Sequence, residues 1–128
     1  MGCEYKVTCR ACGHKSLVND GGGFLCHMLR CDKCGREKDV GFNEMGEIHL
    51  RYIKGLSGPY CVATTKFDKT IRENYRGKPL SERKYNKAVE NFADKCGCGG
   101  QFKLKAKLRC PKCKSARLKK GAPTFFYD

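Results

Sequence analysis

Tryptophan is absent from this 128-residue chain, and seven phenylalanines and six tyrosines supply all its aromatic bulk. Fifteen glycines dilute the apolar content further. A chain of this length makes one ordinary domain or two very small ones, and neither half could bury much by itself. Hydrophobic burial alone is thin support, so a further staple is expected. No stretch approaches the roughly twenty apolar residues of a membrane-crossing helix, so no membrane partner is expected. The opening Met1-Gly2-Cys3-Glu4-Tyr5-Lys6 carries no apolar run of signal-peptide length. Heptads, low-complexity tracts and solenoid periods are missing as well.

Cysteine is what the chain has in plenty. There are 11, an odd number, and most fall in close pairs. Pairing of this kind favours metal ligation over disulfides, and with it the cytoplasm or another reducing intracellular compartment. Cys9-Arg10-Ala11-Cys12-Gly13 is followed by Cys31-Asp32-Lys33-Cys34-Gly35 in a C-x2-C-x18-C-x2-C spacing typical of zinc sites. Two residues between cysteines let a tight turn, a knuckle, aim both thiolates at one ion. The glycine that follows lets the backbone fold back. Between these knuckles, residues 15–18 and 24–30 read as short strands reversed by Asn19-Asp20-Gly21-Gly22-Gly23. The expectation is a β-hairpin with a knuckle at each end. A second signal is Cys96-Gly97-Cys98-Gly99-Gly100 followed by Cys110-Pro111-Lys112-Cys113, where glycines allow a one-residue spacer to chelate.

These segments resemble zinc ribbons, a broad group found in transcription factors, polymerase subunits, ribosomal proteins and topoisomerase tails. The resemblance covers the two end segments only. It implies a structural zinc in a three-stranded antiparallel sheet, with Cys9, Cys12, Cys31 and Cys34 as one ligand set. Cys96, Cys98, Cys110 and Cys113 would be the other, giving two structural Zn2+ per chain. Tetrahedral sulfur ligation also suits a rubredoxin-like iron centre. A thioredoxin-type redox pair wants a βαβ context that glycine-rich hairpins do not offer.

Cys3, Cys26 and Cys61 are left over. Cys26 stands among apolar neighbours and reads as a small core residue. Cys3 could join a shifted ligand set, and Cys61 could be a reactive thiol. His14, His27 and His49 read as ordinary surface or hydrogen-bonded residues, with no acid, base and nucleophile constellation around them.

Charge is lopsided in amount and in place: 27 Lys and Arg stand against 13 Asp and Glu, a formal +14. Two zinc ions on eight thiolates would leave about +10. Residues 1–65 hold nine basic against seven acidic side chains, whereas residues 66–127 hold eighteen against five. A one-sided excess of this kind is the footprint of a surface that tracks phosphates. Residues 102–110 alternate apolar and basic, which reads as a strand with Lys103, Lys105, Lys107 and Arg109 on one face. Lys112, Lys114, Arg117, Lys119 and Lys120 continue the basic run with no acid between. A solvated, aggregation-resistant strand face is the plainer alternative.

The middle of the chain opens with an alternating run, residues 47–53, that reads as a strand. Residues 60–67 are β-branched and aromatic enough for another, although residues 68–75 could begin a short helix. A helix over residues 81–95 has Ser81 as N-cap and Tyr85, Ala88, Val89, Phe92 and Cys96 as an apolar stripe. Arg83, Lys84 and Lys87 either extend the basic surface or form its solvent face. The tail ends in Phe125, Phe126 and Tyr127, which are expected to dock, as an edge strand or into a partner.

The expected fold is therefore a small metal-bound α+β protein. Two four-cysteine zinc ribbons, residues 1–42 and 96–128, are joined by a middle segment, residues 43–95, with strands and at least one helix. The expected function is non-enzymatic: nucleic-acid binding through the basic second half. The alternative is an adaptor or accessory subunit that meets an acidic protein or a nucleoprotein assembly. A thiol or metal-dependent enzyme comes last, because a closed four-sulfur site leaves no open coordination position.

Overall fold

The computed structural model describes residues 2–21 and 25–127. Each N-terminal knuckle is itself a chain reversal, and this decides the topology. Strands β1 (Gly2–Cys9) and β2 (Lys15–Asp20) flank the first knuckle and pair antiparallel from Cys3↔Asp20 to Thr8↔Lys15. Strands β3 (Cys26–Cys31) and β4 (Glu37–Gly41) flank the second and pair from Cys26↔Gly41 to Arg30↔Glu37. The expected hairpin between residues 15–18 and 24–30 does not form: a two-residue spacer with glycine at positive φ already turns the chain. Gly13 and Gly35 hold φ of 77° and 79°. Gly22, Gly23 and Phe24 of that expected hairpin lie outside the described residues.

A strand from the C-terminal half completes each hairpin. β6 (Leu118–Tyr127) lies antiparallel on β1, from Gly2↔Tyr127 to Cys9↔Leu118, and gives the sheet order β2-β1-β6. β5 (Phe102–Lys103) lies antiparallel on β3, with Cys31 opposite Phe102, and gives β4-β3-β5. The expected continuous strand over residues 102–110 is thus only two residues long, because β3 offers pairing to Phe102 and Lys103 and no other strand continues the ladder. The tail docks as an edge strand. Its side chains Phe125 and Phe126 nonetheless stay 61% and 71% exposed.

Four α-helices lie between, among the described residues: α1 (Phe42–Met45), α2 (Glu47–Lys54), α3 (Thr65–Asn74) and α4 (Glu82–Ala93). The two expected middle strands are therefore helical. In residues 47–53 the period-two reading counted His49 as polar, but His49 is buried with Tyr52 and Ile53 three and four positions on, which is a helical stripe. Residues 60–67 form a 3-10 turn, Val62–Thr64, that runs into α3. α4 begins as its sequence predicts, with Ser81 Oγ accepting from the Lys84 amide at 3.3 Å. Its buried face is Tyr85, Val89 and Ala93, while Phe92 is 49% exposed and falls outside the stripe.

The main core joins α2, α4 and the β3 sheet through Leu29, Val40, Ile53, Tyr85, Val89 and Phe102. Tyr85 stacks on Tyr52 with centroids 4.0 Å apart. Its hydroxyl meets His27 Nε2 at 2.6 Å and His49 Nδ1 at 2.7 Å. Burial, with the neighbouring His49 adding to it, lowers the His27 pKa from 6.5 to about 4. Unfolded His27 takes a proton first, so its contribution to stability is full above pH 6.5 and is lost as pH falls toward 4.

Two outcomes follow. Ile53→Ala should cost about 2–5 kcal/mol in denaturant unfolding, whereas Phe92→Ala should stay within about 0.5 kcal/mol; equal costs would contradict the packing of α2 and α4. In an NMR titration the His27 ring should stay unprotonated until the pH nears about 4. A midpoint at the free-histidine value would show that the ring is solvated instead.

Candidate metal centres

Three turns of one kind and a fourth that is one residue shorter build the two cysteine groups. In the first knuckle the Gly13 amide donates to Cys9 O at 2.9 Å and the Cys9 amide to His14 O at 2.9 Å. In the second, Gly35 donates to Cys31 O at 3.0 Å and Cys31 to Arg36 O at 2.8 Å. The knuckle at Cys110 repeats the pattern with Lys114 in the glycine place, at φ 64°. The knuckle at Cys96 closes one residue sooner: Gly99 donates to Cys96 O at 2.9 Å and Cys96 to Gly100 O at 2.8 Å. A one-residue spacer thus also makes a chelating turn.

All eight expected ligands come together, but in a different grouping. Cys9 and Cys12 join Cys110 and Cys113, while Cys31 and Cys34 join Cys96 and Cys98, every sulfur of a group lying within 4.8 Å of the others. The expected sets, Cys9 with Cys31 and Cys96 with Cys110, are corrected by this nested arrangement. The cause is strand pairing. β6 begins at Leu118, a short turn after Cys113, and sets that residue opposite Cys9, whereas β5 begins at Phe102, a short turn after Cys98, and sets that residue opposite Cys31. Backbone bonds lock the turns together, Arg10 N to Arg117 O at 2.8 Å and Asp32 N to Gln101 O at 3.0 Å. Gly100 approaches so closely that a Cβ there would stand 2.5 Å from Cys31 Sγ.

The geometry fits a four-sulfur metal ion. Cys9–Cys113, Cys12–Cys110, Cys31–Cys98 and Cys34–Cys96 sulfurs are 3.5, 3.7, 3.4 and 3.7 Å apart. A tetrahedron with metal–sulfur bonds of about 2.3 Å has edges of about 3.8 Å. None of these cysteines is in a disulfide. Three of the sulfurs are also prepared to ionise. Chiefly through the Cys12 amide, the Cys9 thiol is lowered to about 7. Burial works to raise Cys31, but the Cys34 and Lys33 amides outweigh it and bring the thiol to about 6. Cys110 is lowered too, mainly by the Cys113 amide. Cys12 and Cys98 go the other way, to about 11: the His14 and Gly100 amides oppose the rise, but burial and the adjacent sulfurs prevail. A cation that displaces those last protons would complete each site, and its affinity would weaken as pH falls.

The groups differ in setting. Cys31 and Cys96 belong to the main core, so the inner group is continuous with it. The outer group caps the β1 sheet, with Cys9 and Cys110 buried and Cys12 and Cys113 exposed. Arg109 braces the two: its Nε donates to Asp32 O at 3.2 Å, its Nη1 to Lys114 O at 3.0 Å. Of the other expected phosphate-binding residues, Lys103 pairs with Asp32 at 3.6 Å and Lys120 with Asp20 at 2.6 Å. Lys114 Nζ donates to Pro111 O at 2.8 Å. Lys105, Lys107, Lys112, Arg117 and Lys119 are exposed. Lys103 and Lys105 reach a groove that also holds Arg83 and Lys87 of α4.

Cys3 is buried away from both groups, and Cys26 is half-buried where a core residue was expected. Cys61 Sγ contacts Thr64 Oγ1 at 3.3 Å. The union of His27, His49 and Tyr85 was missed because the three are scattered along the chain and meet only when α2 and α4 pack on β3. No helix among the described residues is long and apolar enough to cross a membrane.

Residues 5–119 match the family described as "Domain of unknown function (DUF8255)", and the chain belongs to that family. No curated protein and no solved structure matches it.

Nested and end-by-end groupings make opposite forecasts for one variant. Cys12→Ser with Cys113→Ser removes two ligands from a single nested group, so one metal per chain should remain by elemental analysis. Loss of both metals would restore the end-by-end grouping.

Proposed function

We propose that this chain is a non-enzymatic zinc protein that binds nucleic acid, and that both four-cysteine groups hold structural Zn2+ in the manner of zinc ribbons. Zinc suits four thiolates at tetrahedral spacing, and four sulfurs leave no open position for a substrate. A reducing compartment would keep those thiols available.

The observation that carries the binding reading is the groove between α4 and the turn after β5. It has a volume of about 540 Å3 and is lined by Arg83, Lys87, Lys103 and Lys105, with Asn86, Leu104 and a single acid, Glu90. Glu90 is engaged, since its Oε2 accepts from the Leu104 amide at 3.3 Å. Lys112, Lys114 and Arg117 are less suited to phosphate. They surround the outer group, where a zinc ion on four thiolates would carry a net charge of about −2 and compete for them. Three of the four groove cations stand on a helix or a short strand fixed to the core, and Lys105 on the turn that follows, which together position a phosphate-tracking surface.

A second reading has one observation in its favour: Phe125 and Phe126 are exposed on an edge strand. An acidic protein or a nucleoprotein assembly could be gripped there. Changing both to serine leaves the strand backbone in place. It should abolish capture of such a partner and leave nucleic-acid affinity within about twofold.

The main test is a salt titration of binding to single-stranded and duplex DNA and RNA. Arg83, Lys87, Lys103 and Lys105, all changed to Gln, should flatten the slope of log affinity against log salt by about 3. Absence of binding to every form at low salt would remove this reading.

A further inference from the structure

Behind the groove lies a cavity of about 230 Å3, whose wall includes Leu104, Ala106, Tyr60, His27, Arg30 and Asp20. Leu104 also lines the groove, so the two share a border at that residue. An accidental packing void would be apolar and dry, whereas His27, Arg30 and Asp20, the last paired with Lys120 at 2.6 Å, are among the residues that line this one. Its volume is below the roughly 300–1,000 Å3 of pockets for drug-sized ligands. One planar heterocycle suits that space, and a whole nucleotide does not.

His27 is equipped to meet such a ring in two ways. Its Nε2 is engaged with the Tyr85 hydroxyl, which leaves Nδ1 as the nitrogen it can offer. The same hydroxyl bonds His49 Nδ1, and a hydroxyl donates only one proton. If Tyr85 donates to His27, then His49 donates to Tyr85, and His27 carries its proton on Nδ1. If the hydroxyl turns toward His49, His27 donates through Nε2 and Nδ1 becomes an acceptor. The exchange moves no net charge when His27 releases its Nδ1 proton to water and His49 takes one up at Nε2, so His27 Nδ1 can serve as a donor or as an acceptor. Nucleobase edges present either. Arg30 is fixed by Glu37 at 3.0 Å and by the Asn19 carbonyl, so its remaining donors hold a set direction. Tyr60 supplies an aromatic wall.

We propose that the cavity receives one unstacked nucleobase of a single strand whose phosphates lie on Arg83, Lys87, Lys103 and Lys105. The proposal rests on the nucleic-acid reading above and adds that single strands are the preferred form. Its site unites the Tyr60 ring and the His27–Tyr85–His49 relay with the basic groove, through the segment that carries Leu104.

Fluorescence anisotropy with three labelled probes of equal length tests it: a mixed-sequence single strand, the same strand wholly abasic, and the matching duplex. The zinc-loaded full chain should bind the intact strand about tenfold more tightly than the other two. Ala106→Phe, which fills the cavity, should erase that preference and leave the abasic affinity unchanged. Tyr60→Leu should reduce it in the same way and serves if Ala106→Phe misfolds. Equal affinity of the wild type for all three probes would overturn the base pocket while leaving the phosphate groove standing. A preference that survives both folded variants would also overturn it. No binding to any probe would overturn both.

Discussion

Everything in this chain depends on the sulfurs of its first third meeting the sulfurs of its last. The outer group ties Cys9 and Cys12 to Cys110 and Cys113, and inside it the inner group ties Cys31 and Cys34 to Cys96 and Cys98. Closing loops this long costs conformational entropy, although that cost grows slowly with length. Strand pairing begins the closure: β6 on β1 brings one pair of knuckles together, and β5 on β3 the other. Four sulfurs within 4.8 Å are then positioned to complete it with a metal ion. For a chain with little aromatic bulk, metal ligation across the ends would offset what apolar burial cannot supply.

The two groups do not contribute alike. Cys31, Cys96 and Phe102 share one core with Leu29, Val89 and Ala93, so disturbance of the inner group reaches α4 directly. The outer group fastens β1 and β6 at the edge of the molecule. Arg109 couples them by donating to carbonyls of a knuckle in each group, which gives it a structural task instead of a place on a basic face. Gly35 belongs to the same contact, since a Cβ there would stand 2.7 Å from that of Arg109. Here positive φ and close approach both require glycine.

What the sequence revealed was local chemistry, and what it concealed was pairing over distance. All eight clustered cysteines, the glycine after each N-terminal knuckle and the Ser81 cap could be read, because each is a matter of a few adjacent residues. Four knuckles can be joined two by two in three ways, and spacing does not choose among them. The choice follows from β1 and β6, and the strand character of residues 2–9 becomes evident only beside its partners. Residues 47–53 fit periods of two and of 3.6 equally, until burial of His49 decides for the helix. Residues 104–109 alternate without a strand to pair with among the described residues, and alternation alone does not hold a strand in water.

The same distinction governs the basic surface. Nine cations between residues 103 and 120 look like one continuous stripe in the sequence, but folding divides them. Arg109 turns inward to brace the knuckles, Lys103 and Lys120 meet aspartates, and Lys112, Lys114 and Arg117 crowd a group whose thiolates would be negative. Meanwhile α4, fixed by Tyr85, Val89 and Ala93 against the core, carries Arg83 and Lys87 to the side of Lys103 and Lys105. Charge density along the chain and convergence in space therefore point to different faces, and the proposed phosphate surface follows the second. A phosphate backbone responds to the local field, which is strongest where cations gather over low-dielectric walls and no carboxylate is free to answer them. In the groove Lys103 is answered by Asp32 at 3.6 Å, which leaves Arg83, Lys87 and Lys105 to carry the field, and the inner cysteine group, with a metal ion bound, would hold β5 against β3 and keep Lys103 and Lys105 in place.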